Sequence, residues 1–376
     1  MKIYNAVILT KNGELINGSL SIEKGNVSNI FHSESKIEPG DIDAHGWIAS
    51  PGWIDIQING GFGIDLTTTP ELLWEVAEQL PRFGITGFLP TVITSSHDTY
   101  EKAISIIKNG PPANWRGARP FGWHFEGPFL SPAKKGAHNP SWLRQPDVSF
   151  VENWTRNNGV MMVTMAPELP GAEPTARRLL SCGVVLSIGH SMATVAETLQ
   201  AVELGYSAAT HLFNAMPALD HRVPGLAGEV LVNNKITAGL IADGQHVHPD
   251  MVKATWRLKM PETLVLVSDA VSALGMPKGK YLQGGMEITV TENCAKLKDG
   301  TLAGSILPLD QALRNVIAYT GASIKQVLPA LGSNQARLLK LDNFGSIKPG
   351  HTADLTFVDQ DGQLKMTVIG GEILYS

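Results

Sequence analysis

Trp123-His124-Phe125-Glu126-Gly127-Pro128, followed by Gly189-His190-Ser191 and Thr210-His211-Leu212, decides how this chain is read. Each stretch places a metal-binding side chain near the C-terminal end of a short apolar run of the kind that forms a buried strand. A fourth run, Thr263-Leu264-Val265-Leu266-Val267-Ser268, leads into Asp269. One carboxylate and two imidazoles make three protein ligands. Three ligands with the fourth position left to water is the pattern of a catalytic rather than a structural zinc site. Asp269 beside such a site can serve as a general base, so the set points to a metal-activated water and to hydrolysis.

Working outward from these runs gives eight short apolar or β-branched segments, near residues 53–58, 87–93, 122–126, 160–165, 184–188, 208–211, 237–241 and 264–268. Most are continuously apolar rather than alternating, as strands covered on both faces should be. Helical patterns lie between them. Residues 70–83 carry Leu72, Leu73, Val76, Ala77 and Leu80 on one side, and residues 99–108 carry Ala103, Ile104 and Ile107. Ser191 is placed to cap a helix that runs through Leu204 and stops at Gly205. Strands alternating with helices in this way predict an α/β fold, a (β/α)8 TIM-type barrel. A doubly wound sheet would need a glycine-rich phosphate turn after its first strand, and Asn59-Gly60-Gly61-Phe62-Gly63 matches that poorly.

In such a barrel Glu126, His190, His211 and Asp269 end the third, fifth, sixth and eighth strands, on the rim where these folds carry active sites. Singly, each has an ordinary reading: a loop glutamate before Gly-Pro, or a structurally satisfied histidine. Four coincidences on one rim are far less probable than a site. The ends of the chain read differently. Residues 1–50 are short strands and turns (Asn12-Gly13, Asn17-Gly18, Lys24-Gly25, Pro39-Gly40), and residues 345–376 are similar. The expected division is therefore a discontinuous β-sandwich domain, 1–50 plus 345–376, around a barrel of 51–344.

Charged residues make up 17 % of the 376 and the net charge is −5, so there is no electrostatic reason to expect nucleic acid or an anionic membrane. Two cysteines, Cys182 and Cys294, exclude a disulfide framework. The start, Met1-Lys2-Ile3-Tyr4-Asn5-Ala6, lacks the apolar stretch of a secretory signal, and no apolar run is long enough to span a bilayer. A cytoplasmic location is expected.

The chain resembles the amidohydrolase superfamily and, within it, the N-acetylglucosamine-6-phosphate deacetylases. The resemblance runs over nearly the whole length. It includes Pro51-Gly52-Trp53-Ile54-Asp55, His124-Phe125-Glu126-Gly127-Pro128, Lys135-Gly136-Ala137-His138-Asn139-Pro140 and His211-Leu212-Phe213-Asn214-Ala215-Met216-Pro217. Ala242-Asp243-Gly244-Gln245-His246, Ser268-Asp269-Ala270 and Thr301-Leu302-Ala303-Gly304-Ser305 continue it. The resemblance implies that Glu126, His190 and His211 are metal ligands and that Asp269 activates water and later protonates the departing amine. It implies that His138 holds the acetyl carbonyl oxygen, and that Asn214, Ala215, Arg222 and His246 bind the phosphate, with Arg222 supplied across a homodimer (or higher homo-oligomer) interface. Ala137, Leu302, Ala303 and Gly304 would contact the sugar.

One departure matters. Many amidohydrolases carry His-x-His at the end of the first strand, holding a second metal; here the positions are Gln57 and Asn59, amides that bind such ions poorly. A single divalent ion is therefore expected, zinc by default, with Fe2+ or another divalent ion compatible with the same ligands. The expected reaction is hydrolysis of the acetamido group of N-acetylglucosamine 6-phosphate. The alternatives are the galacto epimer of that substrate and, without enzymatic activity, an inactive barrel serving as an assembly subunit; the intact ligand set argues against the latter.

Overall fold

The computed structural model describes residues 1–10, 12–32 and 38–376. Eight parallel strands form its barrel: Trp53–Ile58, Ile85–Ile93, Trp123–Glu126, Val160–Met165, Val185–Ile188, Ala208–Ala209, Thr237–Leu240 and Leu264–Leu266. Each pairs in parallel with the next, and nearly every residue in them is buried. That double-sided burial is why the runs are apolar without alternation. The eight observed strands match the eight segments expected from sequence to within a few residues at their ends.

The ring closes between the eighth strand and the first, and this seam is thin. A single bridge joins Ile58 to Ala270, and the Asn59 N–H donates to the Ala270 carbonyl at 2.8 Å. The Asp55 carboxyl makes up for the missing ladder. Its Oδ2 accepts from the Ser268 N–H at 3.0 Å and its Oδ1 from the Gln57 N–H at 3.1 Å. Burial pushes this carboxyl up to about 7 despite those bonds.

Helices cover the outside. His97–Asn109 is capped by Ser96, Ala172–Ser181 follows the fourth strand, and Pro249–Lys259 and Leu309–Thr320 follow the seventh and eighth. Two expectations need correction. Ser191 does not cap the next helix; Val195–Leu204 begins three residues later, in a capping box between Thr194 and Glu197. The Ser191 hydroxyl is engaged elsewhere, donating to Glu168 Oε2 at 2.7 Å. The strand–helix alternation also lapses once. Among the described residues no α-helix lies between the third and fourth strands, only short 3-10 turns such as Pro132–Lys134 and Pro140–Trp142. Pro128, Pro132, Pro140 and Pro146 deny this stretch the N–H donors that a helix needs.

Between the eighth strand and Leu309–Thr320 lies an element that sequence reasoning missed. Gly279–Gln283, Met286–Val290 and Ala295–Lys296 form a three-stranded antiparallel sheet. Ile288, Val290 and Ala295 bury against Val271, Ala273 and Ala303, which clamps the sheet onto the barrel mouth. The two ends of the chain meet in a separate sheet, where Leu355–Val358 pairs antiparallel with Ile48–Pro51. Its apolar side has its own core, including Ile3, Ile8, Leu20, Leu355, Phe357 and Val368. No helix among the described residues is long and apolar enough to cross a membrane.

The seam supplies a stability prediction. Asp55→Ala leaves the Gln57 and Ser268 N–H groups buried without acceptors, at about 1–3 kcal/mol each. Denaturant unfolding should show a loss of roughly 2–4 kcal/mol, the lower total allowing for relief of the buried carboxyl. A loss under about 0.5 kcal/mol, the scale of an ordinary surface substitution, would mean the seam does not depend on this side chain.

Candidate metal centre

Glu126 ends the third strand, and the histidines stand just beyond the fifth and sixth. His190, His211 and Asp269 all have left-handed backbone, with φ of 49°, 32° and 50°. This conformation is uncommon for residues other than glycine, and it concentrates at functional sites where surrounding structure enforces it. Here it lets each chain leave its strand while the side chain stays over the barrel mouth.

The three side chains converge. Glu126 Oε1 lies 3.1 Å from His190 Nε2 and 3.0 Å from His211 Nε2, and the two nitrogens are 3.1 Å apart. All three residues are buried. His190 Nδ1–H donates to the Lys134 carbonyl at 2.7 Å, so its Nε2 presents a lone pair to the cluster. Two imidazole nitrogens and a carboxylate oxygen crowded this closely require positive charge among them. Ligands around a tetrahedral zinc would stand about 3.3 Å apart, close to the observed triangle. The residues therefore fit a divalent cation. The same demand appears in the protonation preferences. Burial opposes ionisation of Glu126, but the His190 and His211 imidazoles beside it hold it well below the usual carboxylate range. Burial likewise opposes charge on His211, and contact with Glu126 outweighs it, raising its affinity for a proton.

A second trio overlaps the first: Glu126, His138 and His190 can each offer one ligand atom, all within 4.8 Å of one another. We favour the tighter set with His211, because hydrogen bonding suits His138 to a different task. The Thr94 N–H donates to His138 Nδ1 at 3.3 Å, and the Thr94 hydroxyl lies 2.8 Å from the same atom. An Nδ1 that accepts leaves the proton on Nε2, which is a donor and not a ligand. Burial and the neighbouring His190 push His138 down to about 3, so the ring stays neutral.

The amides of the first strand are both engaged. Gln57 Nε2 donates to Glu126 Oε2 at 3.2 Å, satisfying the oxygen that the histidines leave free. Asn59 Nδ2 donates to Asp269 Oδ1 at 2.7 Å. Burial and the nearby Glu126 push Asp269 up to about 6.

These groups open into one cavity of about 410 Å³. Ala137, His138, Asn214, Ala215, His246, Leu302, Ala303 and Gly304 line it together with Glu126, His190, His211 and Asp269. His246 is fixed by Asp243, whose Oδ2 accepts from Nδ1 at 2.6 Å. Gly304 has no room for a side chain, since a Cβ there would sit 2.7 Å from the Asp269 carbonyl oxygen. Arg222 alone among the expected residues is not brought to the cavity; it is exposed on the loop before Gly225–Val232. Sequence reasoning missed Thr94, Ile93, Val271 and Gln283. The first two end the second strand, so rim position could have flagged them; Gln283 belongs to the unpredicted sheet and carried no signal.

The raised carboxyl has a consequence for the metal-free chain. Asp269 binds its proton more tightly when folded (about 6) than when unfolded (3.8), so between those values the folded state holds more protons. Its contribution to stability is complete at low pH and lost as pH rises through about 6. Metal-free wild type should therefore lose stability relative to metal-free Asp269→Asn between about pH 4 and pH 7, read from paired unfolding curves. Parallel curves would show that Asp269 titrates normally.

The amidohydrolase family model matches residues 48–374. The N-acetylglucosamine-6-phosphate deacetylase of Lysinibacillus sphaericus is 34% identical over 374 residues, spanning 99% of this chain and 97% of that one. The human enzyme of the same name is 35% identical over 398 residues, spanning 100% of this chain and 95% of its own. A solved structure of a mutant Mycobacterium smegmatis N-acetyl-D-glucosamine-6-phosphate deacetylase, in complex with N-acetyl-D-glucosamine-6-phosphate, superposes with a TM-score of 0.92 at 29% identity, covering 100% of this chain and 99% of that chain. Motifs, barrel, buried Glu/His/His cluster and full-length similarity agree: the chain belongs to the amidohydrolase family.

Proposed function

We propose that this chain hydrolyses the acetamido group of N-acetylglucosamine 6-phosphate, giving glucosamine 6-phosphate and acetate. The observation that carries the reading is the Glu126–His190–His211 triangle sharing one cavity with Asp269 and His138. Relatives of that name over the full chain length, one with the sugar phosphate bound, support it. Glu126, His190 and His211 would hold one divalent ion, zinc by default, which when bound activates water and polarises the acyl carbonyl. The amides Gln57 and Asn59, which bind such ions poorly compared with imidazole, support a single ion, and their nitrogens are engaged with the two carboxylates.

Asp269 takes a proton from the attacking water and returns it to the departing amine, which an amide needs because its nitrogen leaves poorly as an anion. Asn59 occupies Oδ1, so this proton traffic falls to Oδ2. His138 donates from Nε2 to the carbonyl oxygen as charge builds there. Asn214, Ala215 and His246 receive the phosphate, and Ala137, Leu302, Ala303 and Gly304 the sugar. Arg222, exposed and outside its own chain's cavity, reaches the site of a second copy in a homodimer.

Purified protein should release acetate from N-acetylglucosamine 6-phosphate faster than from the galacto epimer and carry close to one divalent ion per chain. Asp269→Asn should lower turnover by about 10²–10⁴-fold with the ion retained, the scale of general acid–base loss. Near-normal turnover in that variant would mean another base.

Arg222 is tested by mixing. Arg222→Ala and Asp269→Asn should each be poorly active alone. In a hybrid dimer, the site on the Arg222→Ala chain keeps its own Asp269 and borrows its partner's arginine, while the other site lacks both. Random exchange makes about half the dimers hybrid, so activity should recover to roughly a quarter of wild type. No recovery despite demonstrated exchange would remove Arg222 from the shared site.

A further inference from the structure

We propose that Ile93 sets the length of acyl group this site accepts, an inference that rests on the deacetylase reading above. Ile93 is the parallel-ladder partner of Glu126, so the two side chains stand on the same face at the same height, over the barrel mouth. Ile93 is 5 % exposed and lines the cavity. Its position is fixed from several sides. Its N–H donates to Thr67 Oγ1 at 3.1 Å, and its carbonyl accepts from the Tyr100 hydroxyl at 3.4 Å. Gly284, at the turn of the added sheet, presses on it so closely that a Cβ there would come within 2.5 Å of Ile93 Cδ1.

The direction of the acyl chain follows from the ring. Asn214, Ala215 and His246 follow the sixth and seventh strands, and in a ring of eight the second strand stands opposite the sixth. A trans secondary amide points its acyl chain away from the substituent on nitrogen. With the sugar phosphate drawn toward the sixth and seventh strands and the carbonyl between Glu126 and His138, the methyl group faces the second strand. There it meets Ile93, apolar and buried. Gln283 borders the same end, but protein already occupies its polar atoms: Oε1 accepts from the Ser272 N–H at 3.0 Å, and Nε2 donates to Asp65 Oδ1 at 3.4 Å. On this side the acyl end is therefore walled by apolar Ile93, with the polar atoms of Gln283 already taken.

The test uses glucosamine 6-phosphate carrying N-acetyl, N-propionyl or N-butyryl groups, with amine release measured for full-length enzyme. In the unaltered chain kcat/KM should fall about tenfold or more per added methylene. Ile93→Ala should raise the butyryl-to-acetyl ratio of kcat/KM about tenfold or more, and Ile93→Val should raise the propionyl-to-acetyl ratio about threefold. Ile93→Val removes one methylene and costs little stability, so it decides the matter if Ile93→Ala does not fold. Turnover of the acetyl substrate with ratios unmoved in the folded variants overturns this inference alone. Absence of acetyl turnover in the unaltered chain sinks the functional reading and this inference with it.

Discussion

A buried carboxylate sets the terms for the rest of this molecule. Glu126 is 2 % exposed, and an isolated charge at that depth would cost many kcal/mol. Every neighbour of the carboxylate answers that cost. The amide of Gln57 donates to one oxygen, and two imidazoles meet the other. The imidazoles answer with positive charge, since contact with Glu126 raises the affinity of His211 for a proton. The left-handed backbone at His190, His211 and Asp269 belongs to the same arrangement. A few kcal/mol of local strain persists only where a stiff scaffold over-determines it, and a closed ring of buried strands is such a scaffold.

The first strand shows how a small change of side chain redirects a shared framework. An imidazole at position 57 or 59 would offer a lone pair to a second ion, whereas an amide nitrogen offers only protons. Those protons go to Glu126 and Asp269. The amides thus form a brace that orients both carboxylates. Asp55 holds both ends of that brace, through the Gln57 and Ser268 N–H groups, at the one place where the barrel has almost no ladder of its own.

Much of this was legible in the residues. Eight buried parallel strands leave an unmistakable trace because each must be apolar on both faces, and rim residues are found by counting to the strand ends. Elements that depend on tertiary competition were less visible. Thr194, with Glu197 three residues on, carries the capping-box signature that Ser191 lacks, and the Ser191 hydroxyl is taken by Glu168. The stretch after the third strand was expected to help continue the alternation, and its prolines forbid it. The sheet of residues 279–296 escaped notice because its strands are short and half of their residues face solvent, while its buried side is completed by Val271, Ala273 and Ala303 from elsewhere. Ile93 read as one more core residue; its meaning lies in its register with Glu126, which sequence does not state.

The missing third helix also has a mechanical consequence. A helix there would have carried the chain away from the rim; the proline-rich loop stays on it and performs two tasks at once. Through the Lys134 carbonyl it fixes the tautomer of His190, and four residues later it delivers His138 to the opposite side of that ring, with centroids 4.4 Å apart. Gly136 lies between, where an added Cβ would come within 3.1 Å of His190 Cε1. Thr94, just past the end of the neighbouring strand, in turn fixes His138. His190 and His138, the two imidazoles that line this side of the cavity, are therefore held by one short segment. Displacing that segment would disturb both together, so the spacing Lys134-Lys135-Gly136-Ala137-His138 is a single unit of the site and not a chance neighbour of it.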